Sequence, residues 1–122
     1  MGAKSYQDLI VWQKADALSI LIHEMTKSFP AEERFRLIDQ MRSAASSIPS
    51  NIAEGFGRWS PKDRARFYEI AKGSGDELKN HLKQARDRKY CSNVTQASSL
   101  VDEVCAMLYA LRRKIIREDL GD

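Results

Sequence analysis

The chain predicts an all-α protein: an antiparallel up-down four-helix bundle whose second helix is kinked at a proline. Three observations carry that prediction. Four segments place apolar residues at alternating steps of three and four, the period of a helix with one buried face. No segment alternates apolar and polar residues as a half-buried strand would, and the connections between segments are short. Each stripe keeps a near-heptad spacing, which suits the shallow crossing of helix bundles. With 122 residues, no Gly/Ser-rich linker and no internal repeat, one domain spanning 1–122 is expected around a single core.

In the first helix the stripe is Val11, Ala15, Leu18, Ile22, Met25 and Phe29. Asp8 is the expected cap, and Pro30 ends the run because the residue before a proline avoids helical angles. The second helix begins between Ala31 and Phe35 and carries Ile38, Met41, Ala45, Ile48 and Ile52 to about Gly57. It passes through Pro49, which removes a backbone donor at a cost of roughly 3 kcal/mol. A chain that keeps its helical period across a proline is expected to kink there. The carbonyl of Ala45, deprived of that donor, then needs water or a side chain such as Ser46 or Asn51. The third helix opens at Ser60-Pro61, a cap followed by proline in the first turn. Its stripe is Tyr68, Ala71, Gly75, Leu78, Leu82 and Ala85, fading by Tyr90. The fourth is capped near Ser92 or Asn93 and carries Ala97, Val101, Val104, Leu108, Leu111 and Ile115. Gly121 closes it after a basic stretch of Arg112, Arg113, Lys114 and Arg117, which suits the helix dipole.

Composition narrows the chemistry. No apolar run approaches the roughly 20 residues of a membrane span, and Met1 to Tyr6 lacks a charged-then-apolar leader pattern. A cytoplasmic protein without a membrane role is expected. Cys91 and Cys105 lie fourteen positions apart and read as packing thiols rather than a bridge or metal pair. Di-metal bundles use Glu-x-x-His pairs; neither His23 nor His81 has a glutamate three residues before it, so both are expected at the surface or an edge. Gly55-Phe56-Gly57 lacks the preceding strand and third glycine of a dinucleotide fingerprint. Gly73-Ser74-Gly75 lacks the ending of a phosphate loop. No enzyme, metal or cofactor is expected. The net charge of +3 permits nucleic acid without indicating it.

Several motifs go beyond periodicity. Tyr6-Gln7-Asp8-Leu9 is followed by Trp12-Gln13-Lys14-Ala15, Phe29-Pro30 and Gln40-Met41-Arg42. Then come Ser47-Ile48-Pro49-Ser50-Asn51-Ile52-Ala53-Glu54-Gly55 to Arg58, Ile70-Ala71-Lys72-Gly73-Ser74, and Glu77-Leu78. In these residues the chain resembles the bacterial four-helix-bundle proteins encoded in intervening sequences of 23S ribosomal RNA genes. The resemblance covers nearly the whole chain, although the fourth helix matches only in amphipathic pattern. Where the family often has Leu-Gly-Tyr after the third helix, this chain has Arg88-Lys89-Tyr90. The family is similar in fold to accessory proteins of diversity-generating retroelements, pentameric barrels that associate with reverse transcriptase and nucleic acid. The resemblance thus implies a homo-oligomer, in all expectation a pentamer, with RNA or DNA as a candidate partner.

Three groups of residues are candidates for function. Arg42, Asn51, Glu54 and Arg58 would line a polar notch if the kink and nearby small residues open one; Glu54 and Arg58 also suit an i, i+4 ion pair. The alternative is architectural, with Gly73 and Gly75 letting the third helix approach Ala44, Ala45 and Gly55 of the second. Cys105, Tyr109 and Ile116 form a second apolar line on the fourth helix, and Trp12 and Ile20 sit off the first stripe. They belong either to a wide core stripe or to a subunit interface. Lys72, Lys79, Lys83 and Arg86 fall on one side of the third helix, within a stretch from Arg58 to Lys89 holding ten basic and five acidic residues. The stripe is either a solvated face or a sequence-tolerant phosphate-binding surface that oligomerisation would multiply. Aromatics do not interleave with it as they do in base-stacking platforms. Two functions follow: a nucleic-acid-associated oligomeric accessory protein, or an oligomeric scaffold that docks a protein partner.

Overall fold

A computed structural model describes residues 2–121; Met1 and Asp122, the two ends of the expected domain, lie outside the described residues. Four helices dominate: α1 Ile10–Thr26, α2 Asp39–Phe56, α3 Pro61–Asp87 and α4 Thr95–Asp119. Among the described residues there is no strand, and no helix is long and apolar enough to cross a membrane.

Contacts between successive helices run in opposite chain directions. Between α2 and α3, Ser47 bonds Ser74 and Gly55 abuts Tyr68. Between α3 and α4, Glu69 meets Arg112, Gly75 abuts Cys105 and Lys79 meets Asp102. Residue numbers rise along one helix as they fall along its neighbour, so these pairs are antiparallel. The first helix packs on α2 and, less extensively, on α4, which closes the ring. Lys14 and Glu103 bridge that last seam at 2.6 Å.

The four stripes become the core. Ala15, Leu18 and Ile22 face Met41, Ala45, Ile48 and Ile52, with Ala71, Leu78, Val101, Val104 and Leu108 closing the interior. Each fully buried aliphatic side chain contributes roughly 1.5–3 kcal/mol relative to exposure. Met25 and Leu111 are only partly buried, packed at the margin of that cluster.

Helix ends show where sequence expectation and structure part. Asp8 does not cap α1. Its Oδ2 accepts from the backbone N–H of Lys4 and Ser5, at 3.0 and 3.2 Å, and the Ser5 hydroxyl accepts from Gln7. A 3-10 turn at Tyr6–Asp8 is thereby closed on itself before α1 begins. The entry to α2 is also irregular: a 3-10 turn at Ala31–Glu33 and a π-helical turn at Arg34–Ile38 precede Asp39. This wider turn sends Leu37 and Ile38 inward and leaves Phe35 83% exposed.

From there α2 runs through Pro49 without a break, and Pro49 is buried. The side chains around it do not reach the Ala45 carbonyl as expected. Ser50 Oγ donates to the Ser46 carbonyl at 3.0 Å, and Asn51 Nδ2 to the Ser47 carbonyl at 2.8 Å. The two carbonyls that follow Ala45 are the ones reinforced.

Ser60 caps α3 as the sequence indicates, its hydroxyl accepting from the Asp63 N–H ahead of Pro61 in the first turn. After α3, Lys89 adopts φ 63°, a left-handed conformation. Tyr90 N–H then reaches back to the Ala85 carbonyl at 2.9 Å. Glycine enters this region freely, whereas a Cβ makes it costly. Asn93 Oδ1 receives the Thr95 N–H at 2.9 Å just ahead of α4, but Val94 occupies the cap position and makes no side-chain cap, so the cap falls after the expected Ser92 or Asn93. Gly121, at φ 80°, follows the last turn.

Candidate nucleic-acid interface

The basic stripe of α3 is built on its outer side, and each of its members has a carboxylate beside it. Lys72 donates to Asp76 at 3.0 Å; Lys79 lies 3.1 Å from Asp102 of α4 and 3.7 Å from Asp76. Lys83 meets Asp87 at 2.6 Å, and Arg86 Nε lies 3.7 Å from the same side chain. Four cations therefore face three carboxylates. Partial desolvation disfavours the Lys79 ammonium, but the Asp102 hydrogen bond and neighbouring negative charges outweigh it and raise its pKa. The hydrogen bond from Lys83 holds the Asp87 carboxyl below its usual range. Spacing alone made the stripe look cationic; in the fold it is close to neutral.

The expected notch does not assemble. Arg42 turns to α1, where its Nε donates to Thr26 Oγ1 at 2.8 Å and an Nη to the His23 carbonyl at 3.2 Å. Asn51 points to α3, bonding Ser47 Oγ at 3.0 Å, and Ser47 Oγ lies 2.8 Å from Ser74 Oγ. Only Glu54 and Arg58 stay together, as the i, i+4 pair at 3.1 Å. Arg42 and Asn51 lie nine residues apart, which at about 100° per residue puts them on opposite sides of one helix.

The second apolar line divides as well. Cys105 is 3% exposed and belongs to the core, because α3 approaches α4 through a bare glycine. A methyl group at Gly75 would lie 2.5 Å from Cys105 Sγ. Burial pushes the Cys105 thiol pKa up. Ile116 and Trp12 are half-buried against the core; Trp12 also meets Tyr6 edge-on, with centroids 5.1 Å apart. Tyr109 and Ile20 remain outside, 54% and 59% exposed.

The glycine expectation is corrected in detail. Gly73 approaches no neighbour: a methyl group there meets nothing within 4 Å. The tight contact between α2 and α3 is at Gly55, where it would lie 2.8 Å from the Tyr68 ring. Gly73 instead floors an open groove of about 280 Å³ beside Tyr109, Lys72 and Arg112. His81, expected at an edge, is buried, with Nε2 at 3.3 Å from Glu77 and Nδ1 at 3.2 Å from Gln84. Among the described residues no cluster of three His, Cys, Asp or Glu side chains is placed to hold a metal.

A different site emerges at the α2–α3 connection. Arg64 Nη1 donates to the carbonyls of Arg58 and Trp59, at 3.3 and 3.2 Å, and pins the turn to the first turns of α3. Trp59 then projects 97% exposed, beside an open depression of about 680 Å³ edged by Ala53, Gly57 and Ser60. The guanidinium carbons of Arg58 and Arg66 sit 4.8 and 5.0 Å from the centre of the Phe67 ring. Lys62 and Arg66 share a second groove with Arg112 and Ile116 of α4 and with Leu120 just after it, where Asp63, Glu69 and Asp119 balance the three cations; the last turns of α4 thus lie alongside the start of α3. Among the described residues Lys62, Arg64 and Arg66 form no ion pair. Aromatic and basic residues thus do interleave, away from the stripe. The sequence signal was Arg58-Trp59 followed by Arg64-Ala65-Arg66-Phe67, which no apolar stripe claims.

Residues 7–110 match the family model described as 23S rRNA-intervening sequence protein. The chain belongs to that family. A search of curated proteins gave no match. The four helices of the chain are those its motifs implied. In its third connection Lys89 occupies, in left-handed conformation, the position where the resembled pattern has glycine.

Proposed function

We propose that the protein is a non-enzymatic, homo-oligomeric accessory protein of the cytoplasm, assembled as a pentamer, that associates with RNA or DNA through basic helix surfaces. The observation that carries this reading is the start of α3, where Lys62 and Arg66 have no described ion-pairing partner and border a groove shared with Arg112 of α4. Ring assembly supports it by repeating each basic surface and so increasing the phosphates it can neutralise. The exposed Tyr109 and Ile20 supply apolar surface for a closing, head-to-tail subunit contact, and the groove at Gly73 beside Tyr109 adds charged residues, Glu69, Lys72, Asp76 and Arg112, at its rim.

Light scattering coupled to size exclusion tests the assembly; the expected mass is about five times 13.9 kDa. A concentration-independent mass near 13.9 kDa refutes it. Tyr109→Glu should lower the assembly state while helicity persists. Retention of structured RNA or single-stranded DNA at about 50 mM salt, lost steeply as salt rises, tests the association.

The second reading, an oligomeric scaffold for a protein partner, is favoured by the neutralised α3 stripe and by Phe35 and Leu120, 83% and 72% exposed. If wild-type protein retains no nucleic acid at low salt, this reading replaces the first.

A further inference from the structure

The geometry points to the α2–α3 turn as a base-stacking platform for single-stranded nucleic acid, with Trp59 as the stacking surface, Arg64 as the residue that holds the turn, and Lys62 and Arg66 as the phosphate contacts. This inference rests on the nucleic-acid reading above and gives it a site and a preferred strand state.

Trp59 is the most exposed large apolar side chain described, and its backbone is not loose. Two hydrogen bonds from Arg64 hold the turn, and Ser60 caps α3 immediately after it. A large ring held in solvent on an anchored backbone loses little conformational freedom when a partner covers it. Nearby, the Phe67 ring draws two guanidinium groups to within about the same distance of its centre. It gathers two like charges in one place, and only Arg58 of the two has a carboxylate, Glu54. An anion bridging that pair would relieve the repulsion.

These features match what a single strand presents. An unpaired base offers a π-face to Trp59, and its flanking phosphates offer partners to the cations that follow in the first turns of α3. A duplex hides its base faces within the stack, so it offers the platform only phosphates. Glu54 and Asp63 also border the depression and would repel phosphate there. The α4 groove carries Asp63, Glu69 and Asp119 beside Lys62, Arg66 and Arg112, so phosphate contact falls to the exposed Lys62 and Arg66 side chains themselves, which have no described ion-pairing partner. Neither stacking nor phosphate pairing uses the 2′-hydroxyl, so ribose and deoxyribose strands should bind alike.

The test uses the full chain and fluorescent uridine and deoxyuridine oligomers of about 16 nucleotides, beside a duplex of the same length, at about 50 mM salt. Wild type should bind both single strands comparably and prefer them to the duplex. Trp59→Ala should weaken single-strand binding about 5- to 100-fold, Trp59→Phe should recover most of it, and Arg66→Glu with Lys62→Glu should remove it. The oligomer mass should be unchanged throughout. Equal affinity of wild type and Trp59→Ala, with loss on changing Lys79 and Lys83, would put the site on the α3 stripe, overturning the platform while keeping the nucleic-acid reading. No binding of any probe by wild type overturns both. Binding restricted to ribose strands, or loss of the oligomer in Trp59→Ala, also overturns the platform. The first would demand a 2′-hydroxyl contact, and the second would make Trp59 a subunit contact.

Discussion

The first turns of α3 and its middle carry similar numbers of cations, yet they present different surfaces. In the middle, α3 lies against α4 through Gly75, and its lysines find carboxylates at i, i+4 or across the seam. At the start, Pro61 and the preceding turn leave Lys62, Arg64 and Arg66 to aromatic rings, backbone carbonyls and solvent. A count of basic residues therefore says little about available charge. Where the helix is glued to its neighbour, charge is spent on the seam; where it emerges from a turn, charge faces outward.

The largest expected effect concerns the seam itself. Gly75→Ala should destabilise the fold by about 1–3 kcal/mol, the range for overpacking, despite better helix propensity. Cys105→Ala in the same chain should recover part of that loss, as a urea double-mutant cycle would show. Gly73→Ala, two residues away, should instead stabilise by up to about 1 kcal/mol through propensity alone. A cost at Gly73 matching that at Gly75 would erase the distinction between the two faces.

Next in size is the charge available to phosphate. Neutralising Lys62 and Arg66 with Gln should reduce the log–log salt slope of single-strand binding by about 1.4, or about 0.7 per lost phosphate contact. The same change at Lys79 and Lys83 should leave the slope nearly unaltered. A reversed result would return the site to the middle of the helix.

At the far end of α3, Lys89→Gly should stabilise by about 1 kcal/mol by removing a left-handed Cβ, measured by thermal or urea unfolding. Smaller still is the coupling between Lys79 and Asp102, about 0.2–1 kcal/mol in a double-mutant cycle because both side chains are substantially exposed.

Two buried groups of this region should also register in alkali. Burial raises the pKa of Cys105 and of Tyr68, from reference values of 9.0 and 10.0. Above those reference values the unfolded chain releases protons that the folded chain keeps. Stability is thus intact below about pH 9 and should decline as pH climbs past it. A flat urea midpoint through that range would mean that neither group is sequestered.

The sequence made the fold legible because burial repeats with the helical period. Ala15, Leu18, Met41, Ile48, Leu78 and Val101 could be placed inward from spacing alone. The same stripe already contained Gly75 and excluded Gly73, so the correct glycine was readable once azimuth was followed strictly. The π-helical turn at Arg34–Ile38 was not readable, since one extra residue per turn leaves no composition mark. The polar notch failed because residues close in a motif can occupy opposite helix faces. Lys72–Asp76 and Lys83–Asp87 could be found by i, i+4 spacing, whereas Lys79–Asp102 needed the packing of α3 on α4. Trp59 escaped notice because it belongs to no stripe, which is also why it is exposed.

The ring of helices has one unequal joint. Three seams join helices that are neighbours in the chain, while the fourth unites the first and last helices, α1 and α4, over the least extensive contact. Contacts between neighbours form early and quickly, since little loop entropy opposes them. The closing seam must wait until the other helices have assembled, and it can part without undoing them. Amide protons of α1 should then exchange through partial opening, while those of α2 and α3 wait for global unfolding. The last joint to form is the first to breathe.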